Sequence, residues 1–568
     1  MDNAKIVELF EELADLSDLA GENPHAVRAY RNFAETAHGL TEPLEDIWRR
    51  GDALSLPGVG KATAAKLDEL FTTGSFQALD RVRSEVPRSL LELLRIPGLG
   101  PKRARAVWQG LGITSLAELE YACRENRLVT LPGFGAKTQA RLLASIAFVL
   151  ESKNAIVLGR ALEIAGDVER LLRDEGASQI QVAGEARRGR PQVAKLVLVA
   201  TGFSLDGAKH ALEGSGRITE IESTGTEELR LLYEGKSPFE LRVVPSDRFA
   251  STLFFETADQ AHLDALAERA RSQGKELQAL VEASASEDAI YEALDLAPIP
   301  PELREGSGLE QPTHLIERED LAGIFHSHTD WSDGTATIES MAKATAGAGF
   351  GFLGISDHSK AAAYARGLDS ERLAQQAEAI AEARTRVPGV ALLHGIEVDI
   401  LRDGSLDLDD ETLARLDFVI ASVHSSMTLS AEEMTARLVR AVSHPLVTML
   451  GHPTGRLLLG RQGYAFDFEA VVRAAVANDT FLEINASRYR LDLDDTLVRR
   501  AAALGARFSI NPDAHSPGGI GDSDLGVLVA RRAGLRPDQV LNARPADEVF
   551  TLLKERKAKA IARLGALA

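Results

Sequence analysis

Seven times between residues 321 and 568, a short apolar run ends in histidine, aspartate or glutamate. The runs are GIFHSH to His328, FLGISDHS around His358, ALLHGIE to Glu397, FVIASVHS at His424, TMLGHP at His452, FLEIN at Glu483 and FSINPDAH to His515. No other feature constrains the fold as strongly. A run of four to eight apolar residues between turn signals reads as a strand buried on both faces, and the intervening segments, such as LAQQAEAIAEART, are helical in period. Repeated βα units imply a mainly parallel sheet. In a parallel barrel the C-terminal strand ends all open on one face, so ligands distant in sequence converge there. Imidazole with carboxylate suits Zn²⁺, Mn²⁺ or Fe²⁺, and so many ligands exceed the needs of one tetrahedral ion, which implies two or three. A lone buried histidine is ordinarily a satisfied core residue, but seven strand ends with one His-x-His and one Asp-x-His are not explained that way. A closed structural site usually recruits cysteine, and the chain has only Cys123.

The remaining 320 residues divide by pattern. Residues 1–150 show helical periodicity, for example Ile6, Leu9, Phe10, Leu13 and Leu16, and read as a bundle of short helices. Residues 151–298 mix helices with β-like runs (IQVAGEA, AKLVLVAT, LRLLYEG, FELRVVP) and read as an α+β domain. Residues 299–320, rich in Pro, Gly and Glu, read as an exposed connection, and 321–568 as the α/β barrel. With 84 acidic and 64 basic side chains the net charge is -20, and no apolar run is long enough to span a membrane. The lone cysteine and the acidic amphipathic start imply a cytoplasmic protein without disulfides. Oligomeric state is not legible.

Three segments repeat one another: LPGVGKATAAKL, IPGLGPKRARAV and LPGFGAKTQARL. Gly58 and Gly60, Gly98 and Gly100, and Gly133 and Gly135 allow a tight turn that brings backbone N–H groups toward an anion at the next helix start. Lys61, Lys102 with Arg103 and Arg105, and Lys137 lie in the first helical turn. Residues 91–150 carry eight basic and four acidic side chains, a local +4 within an acidic chain. These segments resemble helix-hairpin-helix motifs, which hold the DNA backbone without reading sequence.

Upstream, NPHAVRAYRNFAE looks like the opening helix of the small N-terminal domain of family X DNA polymerases. The resemblance continues into GEARRGRPQVAKLVLV. In that family the stretch is Gly-Ser-x-Arg-Arg-Gly, five residues, then Asp-x-Asp on a palm strand. Gly184, Arg187, Arg188 and Gly189 match, Glu185 replaces the serine, and Lys195 and Val197 replace the aspartates. Two-metal nucleotidyl transfer needs oxygen ligands, which lysine and valine lack. The third family carboxylate corresponds to Glu240, and of the nucleotide contacts only Thr257 and His262 remain. Mg²⁺ or Mn²⁺ in this palm is therefore in doubt, and a degenerate palm is expected.

The strand-end ligands resemble those of the PHP domain, a seven-stranded barrel with a trinuclear metal site. That resemblance implies His326, His328, Asp333, His358, Glu397, His424, His452, Asp513 and His515 as ligands, with Mn²⁺ or Zn²⁺ as the ions. It places Arg456 to steady a phosphate, and Glu483, Asn485 and His394 in supporting roles. In this order the parts resemble the bacterial family X DNA polymerases that end in a PHP domain. The implied function is repair of gapped, nicked or 3′-end DNA by metal-dependent 3′→5′ exonuclease or 3′-end phosphoesterase chemistry, with polymerisation weak or lost. The alternative is a Mn²⁺-dependent gap-filling polymerase that uses dNTPs through non-standard palm residues.

Overall fold

The computed structural model describes residues 3–565 apart from 41, 125–126, 129–130, 153–154, 236 and 310–313. The chain forms two compact units, Met1–Asn154 and Ala155–Ala568. No helix among the described residues is long and apolar enough to cross a membrane.

The first unit is helical. Helix Asn3–Ala20 buries Ile6, Phe10, Leu13 and Leu16 on one face, and Phe10 meets Phe33 of helix Pro24–His38 at 4.4 Å between ring centroids. Helices Lys61–Thr73, Pro101–Leu111 and Ala136–Ser152 each begin at one of the three repeats. The first two end at Gly74 and Gly112, both in the left-handed conformation that a side chain would oppose.

The second unit contains every strand among the described residues: β1 (Ile156–Val157), β2 (Gln179–Ala183), β3 (Gln192–Val193), β4 (Leu196–Thr201), β5 (Ile218–Ser223), β6 (Glu228–Tyr233), β7 (Ser237–Val243), β8 (Gly323–Ile324), β9 (Phe352–Ile355), β10 (Ala391–Asp399), β11 (Phe418–Ser422), β12 (Met449–Leu450), β13 (Phe481–Asn485) and β14 (Phe508–Asn511). A five-stranded mixed sheet has the order β2-β4-β7-β6-β5, with only β4 and β7 parallel. Helix Leu158–Asp174 packs on it through Leu158, Ala161, Ile164, Ala165, Val168 and Leu172, which recur every three or four residues. Helices Phe249–Thr257, Gln260–Ser272, Leu277–Ala283 and Glu287–Glu292 follow, around Phe254, Val281, Ile290 and Tyr291.

The segment expected to be an exposed connection is packed over its first part. Ile299 is buried with Phe254 and Tyr291, and Arg304, only 3 % exposed, pairs with Glu287. Glu305 binds Arg188 at 2.6 Å and Arg532 at 2.8 Å, and so joins the mixed sheet to the barrel. Its charged residues find buried opposite charges, which composition does not reveal.

The last seven strands form one parallel sheet in sequential order, β8 to β14. Its ends meet: Ser327 bridges Ala514, and the Asn542 side chain donates to the carbonyls of Gly323 and Ile510 at 2.8 and 2.7 Å. Phe325, Phe352, Phe418, Met449 and Phe481 fill the interior, and Val549 and Leu553 of helix Ala546–Gly565 close it. Strand glycines make room for these rings. A Cβ on Gly395 or Gly323 would lie 2.3 Å from the ring of Phe418 or Phe352, respectively. The chain is therefore a helical region, a mixed-sheet middle and a near-closed parallel barrel.

A candidate metal centre at the mouth of the barrel

At and just beyond the C-terminal ends of the barrel strands the predicted ligands gather in one largely buried cluster. Glu397 is its hub, with Oε1 at 2.8 Å from His452 Nε2 and 3.2 Å from His424 Nε2, and Oε2 at 2.8 Å from His358 Nδ1. Asp513 Oδ1 lies 3.2 Å from His328 Nε2 and 3.4 Å from His326 Nε2. Asp333 stands 3.4 Å from both His358 Nε2 and His515 Nε2. Three groups have donor atoms close enough to share an ion: His328, Asp333, His358 and His515; His326, His328 and Asp513; and His358, Glu397 and His424. All nine predicted ligands are thus brought together. His452 and Asp513 hold φ of 25° and 52°, a left-handed backbone that is tolerated where surrounding structure enforces it.

The donor set fits divalent metals. His328 Nδ1 and His452 Nδ1 are buried without a hydrogen-bond partner, and such atoms ordinarily have one. Burial opposes charge on every group here. His358 and His424 are nevertheless raised to about 10 and about 9, because Glu397, with Asp333 and Asp399 respectively, outweighs burial. His326 is likewise raised by Glu483, Asp513 and Glu397. Burial, together with neighbouring His515 and His358, pushes His328 down to about 4. Against burial, the imidazoles hold Glu397 and Asp513 well below the carboxylate range.

Around the cluster stand the groups that aim it. Glu483 Oε1 lies 2.7 Å from His326 Nδ1, and Glu483 Oε2 accepts from the His452 N–H at 2.7 Å. Asn485 donates to Asp513 at 3.0 Å. Asp399, not foreseen, lies 3.3 Å from His424 Nδ1; strand alternation from Glu397 could have found it. Such carboxylates fix which ring nitrogen faces a metal. His394 points elsewhere, to Gln376 at 3.2 Å. Arg456, expected to steady a phosphate, is engaged by protein groups in this structure. Its guanidinium donates to the carbonyls of Arg490 and Leu491 and to Asp494, which braces the loop after β13. The arginine that faces the cluster is Arg490, with Nε 3.6 Å from Asp513 Oδ2.

In the helical unit the three repeats share one geometry. Gly58, Gly98 and Gly133 have φ of 77°, 88° and 84°, and Gly60 and Gly100 are the extended residues before a helix. Nothing lies within 4 Å of a Cβ at Gly60, Gly100 or Gly135, so each turn presents open backbone. Lys61, Lys102 and Lys137 are exposed beside them. Arg103 and Arg105 turn back instead, to the carbonyls of Gly98 and Leu19 at 2.9 and 2.8 Å.

The palm residues are also together, but they satisfy one another. Val197 on β4 is in register with Glu240 on β7. Lys195 Nζ sits 2.9 Å from Glu240 Oε2, and Arg242 binds the same oxygen at 3.1 Å while also pairing with Glu256 and Glu228. Val197 is buried among Ala183, Val199, Val244, Phe249 and Leu253. Glu185, at the serine position next to Gly184, accepts from the Ala194 and Lys195 N–H groups at 2.6 and 3.3 Å. Arg187 pairs with Glu287, and Arg188 with Glu305; Gly189 packs against Leu528 of the barrel. Thr257 and His262, expected at a nucleotide, are fully buried, and His262 Nε2 contacts the Tyr291 hydroxyl at 3.0 Å.

Fold and site together define a class of protein in which helix-hairpin-helix turns and a mixed sheet precede a PHP barrel with ligand clusters for multiple metal ions. Residues 1–76 match the helix-hairpin-helix domain, 90–147 the SAM-like helix-hairpin-helix tandem and 325–487 the PHP domain. The "DNA polymerase/3′-5′ exonuclease PolX" of Bacillus subtilis (strain 168) is 33% identical over 571 residues, covering 98% of this chain and 100% of the relative. The chain belongs to that PolX family. The chain is also similar to a "Probable phosphatase" of Acetivibrio thermocellus, 28% identical over 41% of this chain and 95% of the relative. A further resemblance is to "Probable phosphatase Teth514_1060" of Thermoanaerobacter sp. (strain X514), 31% identical over 31% of this chain and 72% of the relative.

Proposed function

We propose that the protein is a DNA-repair enzyme whose barrel works as a metal-dependent 3′→5′ exonuclease or DNA 3′-end phosphoesterase, with polymerisation weak or lost. The observation that carries this reading is the contrast between buried, partnerless ligand atoms in the barrel and a palm closed by its own ion pairs. His326, His328 and Asp513 would hold one ion, His328, Asp333, His358 and His515 another, and His358, Glu397 and His424 a third, with His452 beside Glu397. Mn²⁺ or Zn²⁺ held there would activate water near neutral pH and offset charge growing on the phosphoryl oxygens. Glu483 keeps a proton on His326 Nδ1, which leaves Nε2 turned to the cluster. Asp399 does the same for His424. The open turns at Gly58, Gly98 and Gly133, with Lys61, Lys102 and Lys137, hold DNA phosphates without sequence preference.

A second reading, Mn²⁺-dependent gap filling, draws on the surviving Glu240 and on the polymerase named in the Bacillus relative. One experiment separates the two. A gapped, 5′-labelled primer is incubated with Mn²⁺ and four dNTPs, beside a variant carrying His326→Ala and His328→Ala. Shortening that disappears in the variant is the expected result; extension, above all in the variant, selects the polymerase reading.

A further inference from the structure

The loop after β13, residues 486–494, carries two side chains that the ligand cluster does not use. Arg490 faces Asp513 and keeps 19 % of its side chain exposed. The other arginines near the mouth are committed to backbone carbonyls: Arg366 to Ser332, Arg372 to Trp331, Arg437 to Ser425 and Ile400, and Arg461 to Gly455. Among the described residues Arg490 makes no side-chain hydrogen bond, so its fork of donors is open to an oxyanion at the cluster. Tyr489, next in the chain, is 63 % exposed, one of the few large apolar side chains left in water. The loop that displays them is braced. Arg456 holds its carbonyls, buried Asp492 accepts from the Thr454 and Gly455 N–H groups, Leu458 N donates to the Tyr489 carbonyl, and Arg488 pairs with Asp522 and Glu163.

We propose that Arg490 and Tyr489 form the subsite for the last nucleotide of a DNA 3′ end, with Arg490 on the scissile phosphodiester and Tyr489 stacked on the base. The proposal rests on the exonuclease reading and names what that site recognises. In the hydrolysis, the water oxygen bonds to phosphorus and the P–O3′ bond to the penultimate sugar breaks. The released 3′ oxygen takes a proton, and a nucleoside 5′-monophosphate leaves. An aromatic face accepts any base, so the subsite selects a nucleotide terminus without selecting its sequence.

The test uses the full chain with Mn²⁺ and two 5′-labelled primers that end either in a normal nucleotide or in an abasic tetrahydrofuran residue. The wild type is expected to remove the base-bearing residue with a KM roughly tenfold lower. Tyr489→Ala should bring the two KM values together, and Tyr489→Phe should keep them apart. Arg490→Ala should lower kcat/KM on both ends by a similar factor, with partial recovery in Arg490→Lys. A preference that survives Tyr489→Ala, or an Arg490→Ala variant with wild-type kcat/KM, overturns the proposal. A second readout needs no turnover: a primer ending in 2-aminopurine, bound in Ca²⁺, should lose fluorescence with the wild type and not with Tyr489→Ala. If the wild type shortens neither primer while the quenching follows Tyr489, the exonuclease reading fails and takes the scissile-phosphate role of Arg490 with it, while base stacking on Tyr489 stands. If shortening occurs and the quenching ignores Tyr489, the subsite fails and the exonuclease reading stands.

Discussion

The palm and the barrel both gather charged side chains around their sheets within one compact unit, and they treat those charges in opposite ways. In the palm, Lys195 and Arg242 share Glu240, Glu256 and Glu228 complete Arg242, and the second aspartate position is Val197 in an apolar cluster. In the barrel, His328 and His452 keep buried ring nitrogens with no hydrogen-bond partner, at the centre of a cluster where Glu397 is shared by three imidazoles. A buried polar atom left unpaired costs about 1–3 kcal/mol, so several in one place persist only where something else completes them. Self-satisfied charge marks a structural surface, and buried ring nitrogens left without a partner among crowded imidazoles and carboxylates mark a binding site.

Removal of barrel ligands is the most severe way to test that contrast. His326→Ala with His328→Ala should reduce 3′→5′ primer shortening on the order of a thousandfold or more, the scale of losing a transition-state stabiliser. Lys195→Ala should leave shortening intact. If loss of Lys195 abolished hydrolysis to the same degree, the division between the two regions would be wrong.

The converse experiment restores the palm aspartates, Lys195→Asp with Val197→Asp. A carboxylate at position 197 would be buried among Ala183, Val199, Val244, Phe249 and Leu253. The expected result is a loss of about 2–4 kcal/mol of stability, read from the denaturant midpoint, with no Mg²⁺-dependent primer extension. Extension at unchanged stability would mean that the palm has kept a working geometry around two substituted positions.

Next in size is the group that aims the cluster. Glu483→Gln removes the negative charge beside His326 Nδ1 and should weaken metal binding or activity by roughly 10–100-fold. Chelator competition measures it. The contrast also predicts a pH dependence. His358 and His424 are raised to about 10 and about 9 by the carboxylates around them, so at neutral pH each carries a proton that a metal must displace. Affinity should therefore rise with pH, about tenfold per unit for each proton displaced, and level off as pH passes through about 9 to 10. Calorimetric titration at several pH values, in buffers of differing ionisation heat, gives the proton count. Affinity that is flat across that range would show that the imidazoles are not ligands.

Much of the barrel was legible because one strand period carries two messages, burial and ligand position. Each apolar run delivered its terminal residue to the mouth, and alternation from Glu483 put Asn485 on the same face. Roles within the site were harder to read. Glu483 closes an apolar run as the ligands do, yet its oxygens face His326 Nδ1 and the His452 N–H, a choice made by side-chain packing. GHPTGR placed Arg456 beside His452, but carbonyls and Asp494 on a loop more than thirty residues away claim its guanidinium, and Arg490 faces the site instead. The substitutions at Lys195 and Val197 were plain from the sequence. That Lys195 and Arg242 close around Glu240 needed the register of β4 against β7. Residues 299–305 misled by composition, since Pro and Glu there sit beside an arginine buried against Phe254 and Tyr291.

The gentlest test asks whether DNA capture belongs to a third region, separate from both. Gly98 and Gly133 hold φ of 88° and 84°, where a β-branched side chain costs roughly 1–2 kcal/mol. The two sites differ in space: a Cβ at Gly98 would come within 3.2 Å of Arg141, whereas at Gly133 nothing lies within 4 Å. Gly133→Val therefore reports on backbone conformation alone, and Gly98→Val adds a flexible side chain that must shift. Both should weaken binding to duplexes of unrelated sequence by a similar factor, because phosphate contacts position DNA without reading it. Turnover of a small phosphodiester by the barrel should stay as in the wild type. Equal loss of DNA binding and small-ester turnover would mean that the turn acts on the fold as a whole, and a loss confined to one DNA sequence would mean that it reads bases.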